Sequence, residues 1–315
     1  MSVKLAISLV AGAIILGGCA AAVDGRATAR EAASEAAWPP TGRILTVDGK
    51  RVHAHVEGSG PDLVLIHGAS GNTRDFTFAL SKRLAREFRV IAFDRPGLGY
   101  SDDLDKDGQS PLAQADHLRA AARQLGVRRP IVLGHSYGGA VAMAWALRDP
   151  ETRGVVSVSG ATMPWPGGLG AWYSLTGSAV GGATVVPLIS AYASLDRAEG
   201  LVARIFAPAA VPEGYVDYVG PGLSLRRDSL RNNSRQVGNL KPYLEAMAPE
   251  YPKLTLPVEI IHGTADSIVP HLVHAVPLSE RLPNARLTLI EGAGHMPHHS
   301  HPDAVIEAVR RLARR

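Results

Sequence analysis

Cysteine, aromatic residues and surplus charge of one sign are all scarce in this sequence. One cysteine in 315 residues excludes an intrachain disulfide bond and any zinc or iron–sulfur site built from several cysteines. The formal net charge of +4, from 33 basic and 29 acidic residues, is too small and too dispersed to indicate a nucleic-acid partner. With 46% hydrophobic residues, the chain can fold without such supports, as one large domain or two small ones.

The single cysteine, Cys19, follows an apolar run at the N-terminus. Residues 5–18 read LAISLVAGAIILGG, directly after Lys4. A basic start, an apolar middle and small residues at the end are typical of a secretory signal. The motif Leu16-Gly17-Gly18-Cys19 resembles the bacterial lipobox, in which the cysteine is lipidated and becomes the new N-terminus. The pattern therefore predicts an exported protein of the cell envelope, held on a membrane by a lipid anchor.

This interpretation divides the first 40 residues into two parts. Residues 1–18 are predicted to be a signal peptide. Residues 19–40, which are rich in Ala and end in Trp-Pro-Pro, are predicted to form a flexible tether ahead of the fold. A single uncleaved transmembrane anchor over residues 5–23 is the alternative, since its length is near the minimum for spanning a bilayer.

Beyond residue 40, short apolar runs alternate with helical patterns. The runs bounded by turn residues predict strands over Arg43–Val47, Arg51–Val56, Leu63–Ile66, Val90–Phe93, Ile131–Leu133, Val155–Val158, Val258–Ile261 and Leu287–Ile290. Helices are predicted over Phe76–Phe88, Leu112–Leu125, Ala140–Leu147 and Ala304–Leu312. Asp48-Gly49 predicts a hairpin between the first two strands. Repeated strand–helix units predict an α/β fold, with a mostly parallel, eight-stranded sheet and helices on both faces.

The alternation breaks over residues 161–252, which contain no clear strand pattern. This stretch is too long for a loop, so it predicts a helical cap inserted into a core made of residues 41–160 and 253–315. Nine of the 17 aromatic residues lie in the predicted cap. Aromatic side chains commonly line ligand pockets, so we expect the cap to cover an apolar portion of a small-molecule substrate.

A nucleophile motif follows the fifth predicted strand. Residues 134–138 read Gly-His-Ser-Tyr-Gly, between an apolar strand and an apolar helix. Gly-x-Ser-x-Gly in this setting indicates a nucleophile elbow, where the serine has a strained backbone and its neighbours two residues away must be small. Ser136 is therefore the candidate nucleophile.

A serine nucleophile needs a base, and the base needs an orienting carboxylate. Asp266 and His295 follow the last two predicted strands, on the same side of the sheet as Ser136. An oxyanion intermediate also needs two hydrogen-bond donors. We predict the backbone N–H groups of Tyr137 and of Ala69, which lies in the loop after the third strand. The sequence thus predicts a complete site for acyl transfer.

These motifs resemble those of a known family. In order and spacing, the chain from about residue 42 to 315 resembles the α/β-hydrolase superfamily, in its capped branch of epoxide-hydrolase-like and haloperoxidase-like enzymes. The matching motifs are His67-Gly68-Ala69, Asp94-Arg95-Pro96-Gly97-x-Gly99-x-Ser101, Gly134-His135-Ser136-Tyr137-Gly138-Gly139, Asp266 and Gly294-His295. Epoxide hydrolases and haloalkane dehalogenases of this branch use an aspartate where Ser136 stands, which argues against both reactions.

The resemblance implies serine-type acyl transfer without a cofactor. We expect cleavage of an ester or related carbonyl substrate through an acyl-enzyme. A C–C bond hydrolase, or a perhydrolase or haloperoxidase-like enzyme with the same triad, is the alternative among enzymes. A non-catalytic envelope lipoprotein that uses the fold for binding is a further alternative, although binding alone needs no nucleophile. No protein partner is indicated.

Four histidines lie within seven residues: His295, His298, His299 and His301. Such clusters sometimes bind a metal ion. Because no carboxylate pattern accompanies this one, we expect a surface helix cap and no metal site.

Two other polar residues follow strands. Asp94, in the sequence Asp-Arg-Pro-Gly, is predicted to brace a turn beside the site. His67 is predicted to position the backbone rather than to act as a second base.

Overall fold

One sheet forms the centre of the molecule. The computed structural model describes the backbone of residues 3–315, and the side chains from residue 17 onward apart from those of residues 195 and 197. The strands are β1 Arg43–Val47, β2 Lys50–Glu57, β3 Asp62–Ile66, β4 Arg89–Phe93, β5 Ile131–His135, β6 Gly154–Val158, β7 Val258–Gly263 and β8 Ala285–Ile290. They lie in the order β1-β2-β4-β3-β5-β6-β7-β8. Strands β3 to β8 pair in parallel, whereas β1 and β2 form an antiparallel edge, so the predicted sheet is confirmed.

Helices surround the sheet. Helix α1 Val3–Ala37 precedes the first strand. The helices of the core are α2 Arg74–Thr77, α3 Leu80–Leu84, α4 Pro111–Gln124, α5 Tyr137–Arg148, α13 Ala275–Arg281, α14 Pro297–Ser300 and α15 Pro302–Ala313. Those between β6 and β7 are α6 Ala171–Gly177, α7 Ala179–Tyr192, α8 Leu195–Phe206, α9 Tyr215–Val219, α10 Pro221–Ser224, α11 Arg227–Gly238 and α12 Leu240–Met247. The helix predicted over Phe76–Phe88 is wrong in part, because Ala79, with φ −146°, separates α2 from α3.

The sheet separates two apolar cores, because successive strand residues point to opposite faces. In β3, Val64 and Ile66 pack with α4 and α5, whereas Leu63 and Leu65 pack with α3 and α15. All four side chains are fully buried. Burial on both faces explains why this strand is a continuous apolar run in the sequence.

The strand order reverses between β3 and β5. From β3 the chain moves to β4 on one side and then returns to β5 on the other. In open parallel sheets, such a switch point leaves a crevice at the carboxyl ends of the strands, where ligands bind. The loop of residues 67–71 follows β3 and Ser136 follows β5, so the two predicted site segments meet at this crevice.

Helix α1 replaces the predicted flexible tether. Among the described residues, the segment from Gly17 to Ala37 is helical and docks on the cap, with Ala27 fully buried. Glu31 pairs with Arg227 at 2.8 Å, and Arg30 donates to the carbonyl oxygen of Ala191 at 2.9 Å. The tether prediction is therefore wrong for these residues. The reason is that Ala, Arg and Glu favour helix, and distant cap residues supply the partners.

The predicted signal peptide and the predicted lipidation site both concern the N-terminal part of α1. The predicted signal peptide, residues 1–18, begins with two residues that lie outside the described part of the chain, and it stays a prediction. Cys19 lies within α1 and is exposed. Its predicted lipidation also stays a prediction.

Among the described residues, no single helix combines the length and apolar character needed to cross a membrane. One bent pair, α6 with α7, meets the criteria by length and composition, with a bend of 98° between the two helices.

Candidate active site

Ser136 lies in the sharp turn between β5 and α5. Its backbone has φ 53° and ψ −120°, a region that residues other than glycine rarely occupy. The Ser136 N–H donates to the carbonyl oxygen of Val158 at 3.0 Å, and its own carbonyl oxygen accepts from the N–H groups of Gly139 and Ala161, both at 2.9 Å. These bonds hold the strained conformation in place.

Two glycines make this turn possible. A Cβ atom added at Gly134 would lie 2.1 Å from the carbonyl oxygen of Gly138. A Cβ added at Gly138 would lie 2.1 Å from the carbonyl oxygen of Ile66. Both positions therefore exclude a side chain, which confirms the steric argument drawn from the motif.

His295 and Asp266 form the predicted hydrogen bond. Nδ1 of His295 lies 2.8 Å from Oδ2 of Asp266, and both side chains are buried. The other carboxylate oxygen, Oδ1, accepts from the backbone N–H groups of Ile268 and Val269, each at 2.9 Å. Because both oxygens of Asp266 accept, His295 must carry its proton on Nδ1, which leaves Nε2 as an acceptor.

A second histidine, His262, also contacts this carboxylate, although it lies outside the motifs that predict the triad. Its Nε2 lies 3.2 Å from Asp266 Oδ2 and 2.7 Å from the carbonyl oxygen of Val269. Burial by itself raises the pKa of Asp266, but hydrogen bonds from His262 and His295 hold that pKa well below its ordinary value. Asp266 therefore stays ionised at neutral pH.

Ser136 and His295 both follow strands at the carboxyl end of the sheet, and His135 links their two loops. His135, which precedes Ser136, donates from Nε2 to the carbonyl oxygen of His295 at 3.0 Å. The rings of His135 and His295 have centroids 4.9 Å apart. In the described residues, the His295 side chain bonds to Asp266 and not to Ser136 Oγ. Catalytic contacts of this kind are often long until a substrate is bound.

A buried arginine holds the loop after β3. Arg95 donates to the carbonyl oxygens of His67 and Gly68 at 3.0 and 3.1 Å. Nε2 of His67 accepts the backbone N–H of Arg95 at 2.9 Å. His67 thus positions the backbone, as predicted. Burial, and then the charge of Arg95, lower the pKa of His67 to about 4, so this side chain is neutral at pH 7.

The two predicted oxyanion donors lie on different segments, one directly after Ser136 and one in the loop after β3. Tyr137 is the first residue of α5, so its N–H is one of the donors that a helix N-terminus leaves unpaired. Ala69 lies in the exposed part of the β3 loop, and the preceding residue, Gly68, packs on the serine: a Cβ there would lie 3.0 Å from Ser136 Cβ. The role of both N–H groups as oxyanion donors stays a prediction.

Asp94 braces the adjacent turn, as its sequence setting predicts. Its Oδ1 accepts from the backbone N–H of Thr73 at 2.7 Å, and its Oδ2 accepts from that of Tyr100 at 2.8 Å. Nδ1 of His53 lies 2.7 Å from Oδ2. This carboxylate therefore ties the loops after β3 and β4 together.

A buried ionic cluster lies behind the nucleophile. Oδ1 of Asp75 lies 2.8 Å from both Tyr215 Oη and His299 Nε2, and Oδ2 lies 3.1 Å from His298 Nε2. Nδ1 of His135 lies 3.8 Å from the same carboxylate. The predicted surface helix cap is therefore wrong for His298 and His299, because Asp75, more than 200 residues away in sequence, draws both side chains into the interior.

The cluster also bears on the metal prediction. Ligand atoms of Asp75, His135 and His298 lie within 4.8 Å of one another, a spacing that suits a metal ion. Hydrogen bonds from His298 and Tyr215 already satisfy Asp75. Nδ1 of His135 and Nδ1 of His298 have no hydrogen-bond partner in the described part of the chain. We interpret the group as a hydrogen-bonded network that joins the cap, through Tyr215, to the loop of His295; the absence of metal stays a prediction.

Comparison with known proteins agrees with this architecture. The family model of the "Alpha/beta hydrolase family" matches residues 63–308. A 2-hydroxymuconate semialdehyde hydrolase of Pseudomonas putida is 28% identical over 273 residues, covering 84% of this chain and 91% of that protein.

Two solved structures share the fold. An esterase from a Rhodococcus species superimposes with a TM-score of 0.67 at 25% identity, over 85% of this chain and 96% of the esterase. A bacterial membrane phospholipase A superimposes with a TM-score of 0.67 at 20% identity, over 97% of each chain. The family match covers most of the chain and includes Ser136, Asp266 and His295. The chain therefore belongs to the α/β hydrolase family and is a hydrolase.

Proposed function

We propose that this hydrolase cleaves a carboxylic ester with an apolar portion, through Ser136, His295 and Asp266. The observation that carries the proposal is the pairing of His295 with an ionised, fully bonded Asp266 beside a serine in a strained turn. That arrangement is costly to build, and binding alone needs none of it.

The proposed reaction has two steps. His295 Nε2 takes the Ser136 proton as Oγ attacks the ester carbonyl carbon, and the protonated imidazole then gives the proton to the departing alcohol. In the second step His295 Nε2 takes a proton from water as the water oxygen attacks the acyl carbon, and the imidazolium returns that proton to Ser136 Oγ as the acid leaves. Asp266 keeps the His295 proton on Nδ1 and stabilises the imidazolium. The N–H groups of Tyr137 and Ala69 stabilise the oxyanion formed in each step.

C–C bond hydrolysis is the second candidate, favoured by relatives whose names describe hydrolases of semialdehyde or dienoate compounds. Acidic substrates of that kind need a cation in the pocket to pair with a carboxylate. Arg95, which lies behind the β3 loop, is fully buried and donates to Gln114 and Gln236 as well as to backbone oxygens. Arg226 and Arg227 of the cap pair with Glu35 and Glu31 of α1. Because these arginines already have protein partners, we favour a neutral ester.

One assay separates the candidates. The full chain is tested on nitrophenyl esters of increasing acyl length, on a 2-hydroxy-6-oxo-dienoate, and with hydrogen peroxide plus a carboxylic acid for perhydrolysis. We expect ester hydrolysis that rises with acyl length and is lost in Ser136→Ala. Cleavage of the dienoate alone would identify a C–C hydrolase. No turnover of any substrate would favour a binding lipoprotein, and turnover that survives in Ser136→Ala would refute the mechanism.

We also propose that the hydrolase is exported and held at the cell envelope through Cys19. The lipobox-like sequence and the exposure of Cys19 support this proposal. Cys19→Ala should move the protein from the membrane fraction to the soluble fraction. If the variant stays in the membrane with an intact N-terminus, a transmembrane anchor over residues 5–23 is the correct alternative.

A further inference from the structure

One surface of the cap is apolar and exposed. Among the described residues, 11 large hydrophobic side chains are exposed, and five of them lie on two consecutive helices, α6 and α7. Their exposed fractions run from 47% to 74%. We call these five the apolar cap surface: Trp172, Leu175, Val180, Leu188 and Tyr192.

The surface follows one face of α7. Val180, Leu188 and Tyr192 are spaced by multiples of four residues, which places them along one side of the helix. The other side, with Val186 and Ser190, is buried. A helix face in contact with water normally carries charged side chains, yet no Asp, Glu, Lys, Arg or His occurs from residue 154 to residue 195. A charge from α1 borders this face at one end, where the Arg26 guanidinium lies over the Tyr192 ring, 5.0 Å from its centroid. An exposed face whose own side chains are all uncharged indicates an apolar partner.

The position of helix α1 indicates that the apolar partner is a membrane. Arg30 donates to the carbonyl oxygens of Ala191 and Ala193, at 2.9 and 2.6 Å, and Glu31 contacts Ser190, so α1 lies along α7. The apolar run of residues 5–18 and Cys19 come earlier in the same helix. From Cys19 to Arg30 the helix spans roughly 17 Å, at about 1.5 Å per residue. A rigid helix thus holds the predicted membrane anchor close to the apolar cap surface.

We propose that the apolar cap surface inserts into the bilayer to which the N-terminus is anchored, and that the hydrolase takes a long-chain lipid ester from that bilayer. The proposal rests on the proposed ester hydrolysis and membrane anchoring. Trp172 and Tyr192 suit the interfacial zone, where aromatic side chains with a polar end accumulate. Immersion of the surface brings the cap, and the crevice beneath it, to the lipid that would serve as substrate.

The first test measures lipid contact directly. The full chain is reconstituted into phosphatidylcholine vesicles whose acyl chains carry bromine, which quenches tryptophan fluorescence on contact. We expect strong quenching that largely disappears in Trp172→Phe, although Trp38, Trp145 and Trp165 remain. Equal quenching in the two proteins would refute insertion. Trp172→Phe removes no charge and no buried group, so its fold should be unchanged.

The second test separates docking from chemistry. Val180→Glu with Leu188→Glu should lower kcat/KM for a long-chain ester in vesicles by about tenfold or more, because two apolar contacts are lost. The same variant should keep wild-type kcat/KM for a soluble short-chain ester. Leu272→Glu is the matched control. This leucine is 69% exposed, but it lies outside the cap, in the segment that follows β7, so activity on vesicles should not change.

The possible results have distinct meanings. Unchanged activity of the double variant on vesicles would refute docking and leave the proposed chemistry standing. No soluble-ester turnover by the wild type would instead contradict the proposed function. Self-association of the lipid-free wild type that is abolished in the double variant, without bromolipid quenching, would assign the surface to a second copy of the chain.

Discussion

Asp266→Asn tests the predicted orientation of the base. In the structure, Oδ1 of Asp266 accepts two backbone N–H groups, from Ile268 and Val269. The asparagine oxygen must remain there, because an NH2 group cannot accept those bonds. Its NH2 group therefore replaces Oδ2 and points at His295 Nδ1, 2.8 Å away in the wild type. Two donors cannot share that contact, so Nδ1 of His295 becomes the acceptor and Nε2 holds the proton.

A histidine protonated on Nε2 cannot take the Ser136 proton. We therefore expect kcat to fall by about 10^3- to 10^4-fold, equivalent to roughly 4 to 5.5 kcal/mol of transition-state stabilisation, with a much smaller change in KM. The assay is steady-state hydrolysis of the best nitrophenyl ester. Asp102→Asn, which alters a carboxylate paired with Arg51 at the surface, is the control and should keep wild-type kcat. A kcat for Asp266→Asn within tenfold of the wild type would refute the reasoning.

Three further predictions concern the support of the site. Gly138→Ala should lower the free energy of unfolding by about 3 kcal/mol, because its Cβ would lie 2.1 Å from a carbonyl oxygen; equal urea midpoints would contradict this. Acid should destabilise the protein, because the pKa of His67 is about 4 when folded against 6.5 in the unfolded chain, which then binds more protons. The loss through His67 is about 2 kcal/mol from pH 7.5 to 5, and urea titrations in which stability does not fall across that range would rule it out. Asp75→Asn should cost about 2 kcal/mol and lower kcat, because three side chains lose a charged acceptor; wild-type kcat would show that this network does not support His295.

The sheet and the nucleophile turn could be predicted from local sequence, because each has a local physical cause. Strands such as β3 are buried on both faces and must be apolar throughout, so each appears as a short uninterrupted run. The turn at Ser136 requires glycine at two fixed positions, since a Cβ at either would meet a backbone oxygen. Both signals lie within a few residues of the feature that they predict.

The docked helix α1 could not be predicted in this way. Residues 20–37 contain Ala, Arg and Glu without a clear apolar stripe, which is also the composition of a linker. Their structure depends on partners about 160 to 200 residues away, such as Ala191 for Arg30 and Arg227 for Glu31. No local pattern contains that information.

The ionic cluster behind the nucleophile could not be predicted, for the same reason. His298 and His299 stand out in the sequence as a cluster, but their acceptor, Asp75, is separated from them by most of the chain. His262 offers a clearer signal, since it is the next-to-last residue of β7 and lies four residues before Asp266. A histidine at a strand end beside a predicted catalytic carboxylate is a candidate for a supporting bond to that carboxylate.

The most direct test of the account is covalent labelling of the nucleophile. A fluorophosphonate ester reacts only with a serine that a neighbouring base has activated, and the modified residue is identified by mass spectrometry of the digested protein. We predict a single phosphonylated serine, Ser136, with labelling lost in Ser136→Ala and strongly slowed in Asp266→Asn. Labelling of a different serine, or equal labelling rates in wild type and Asp266→Asn, would contradict the proposed triad.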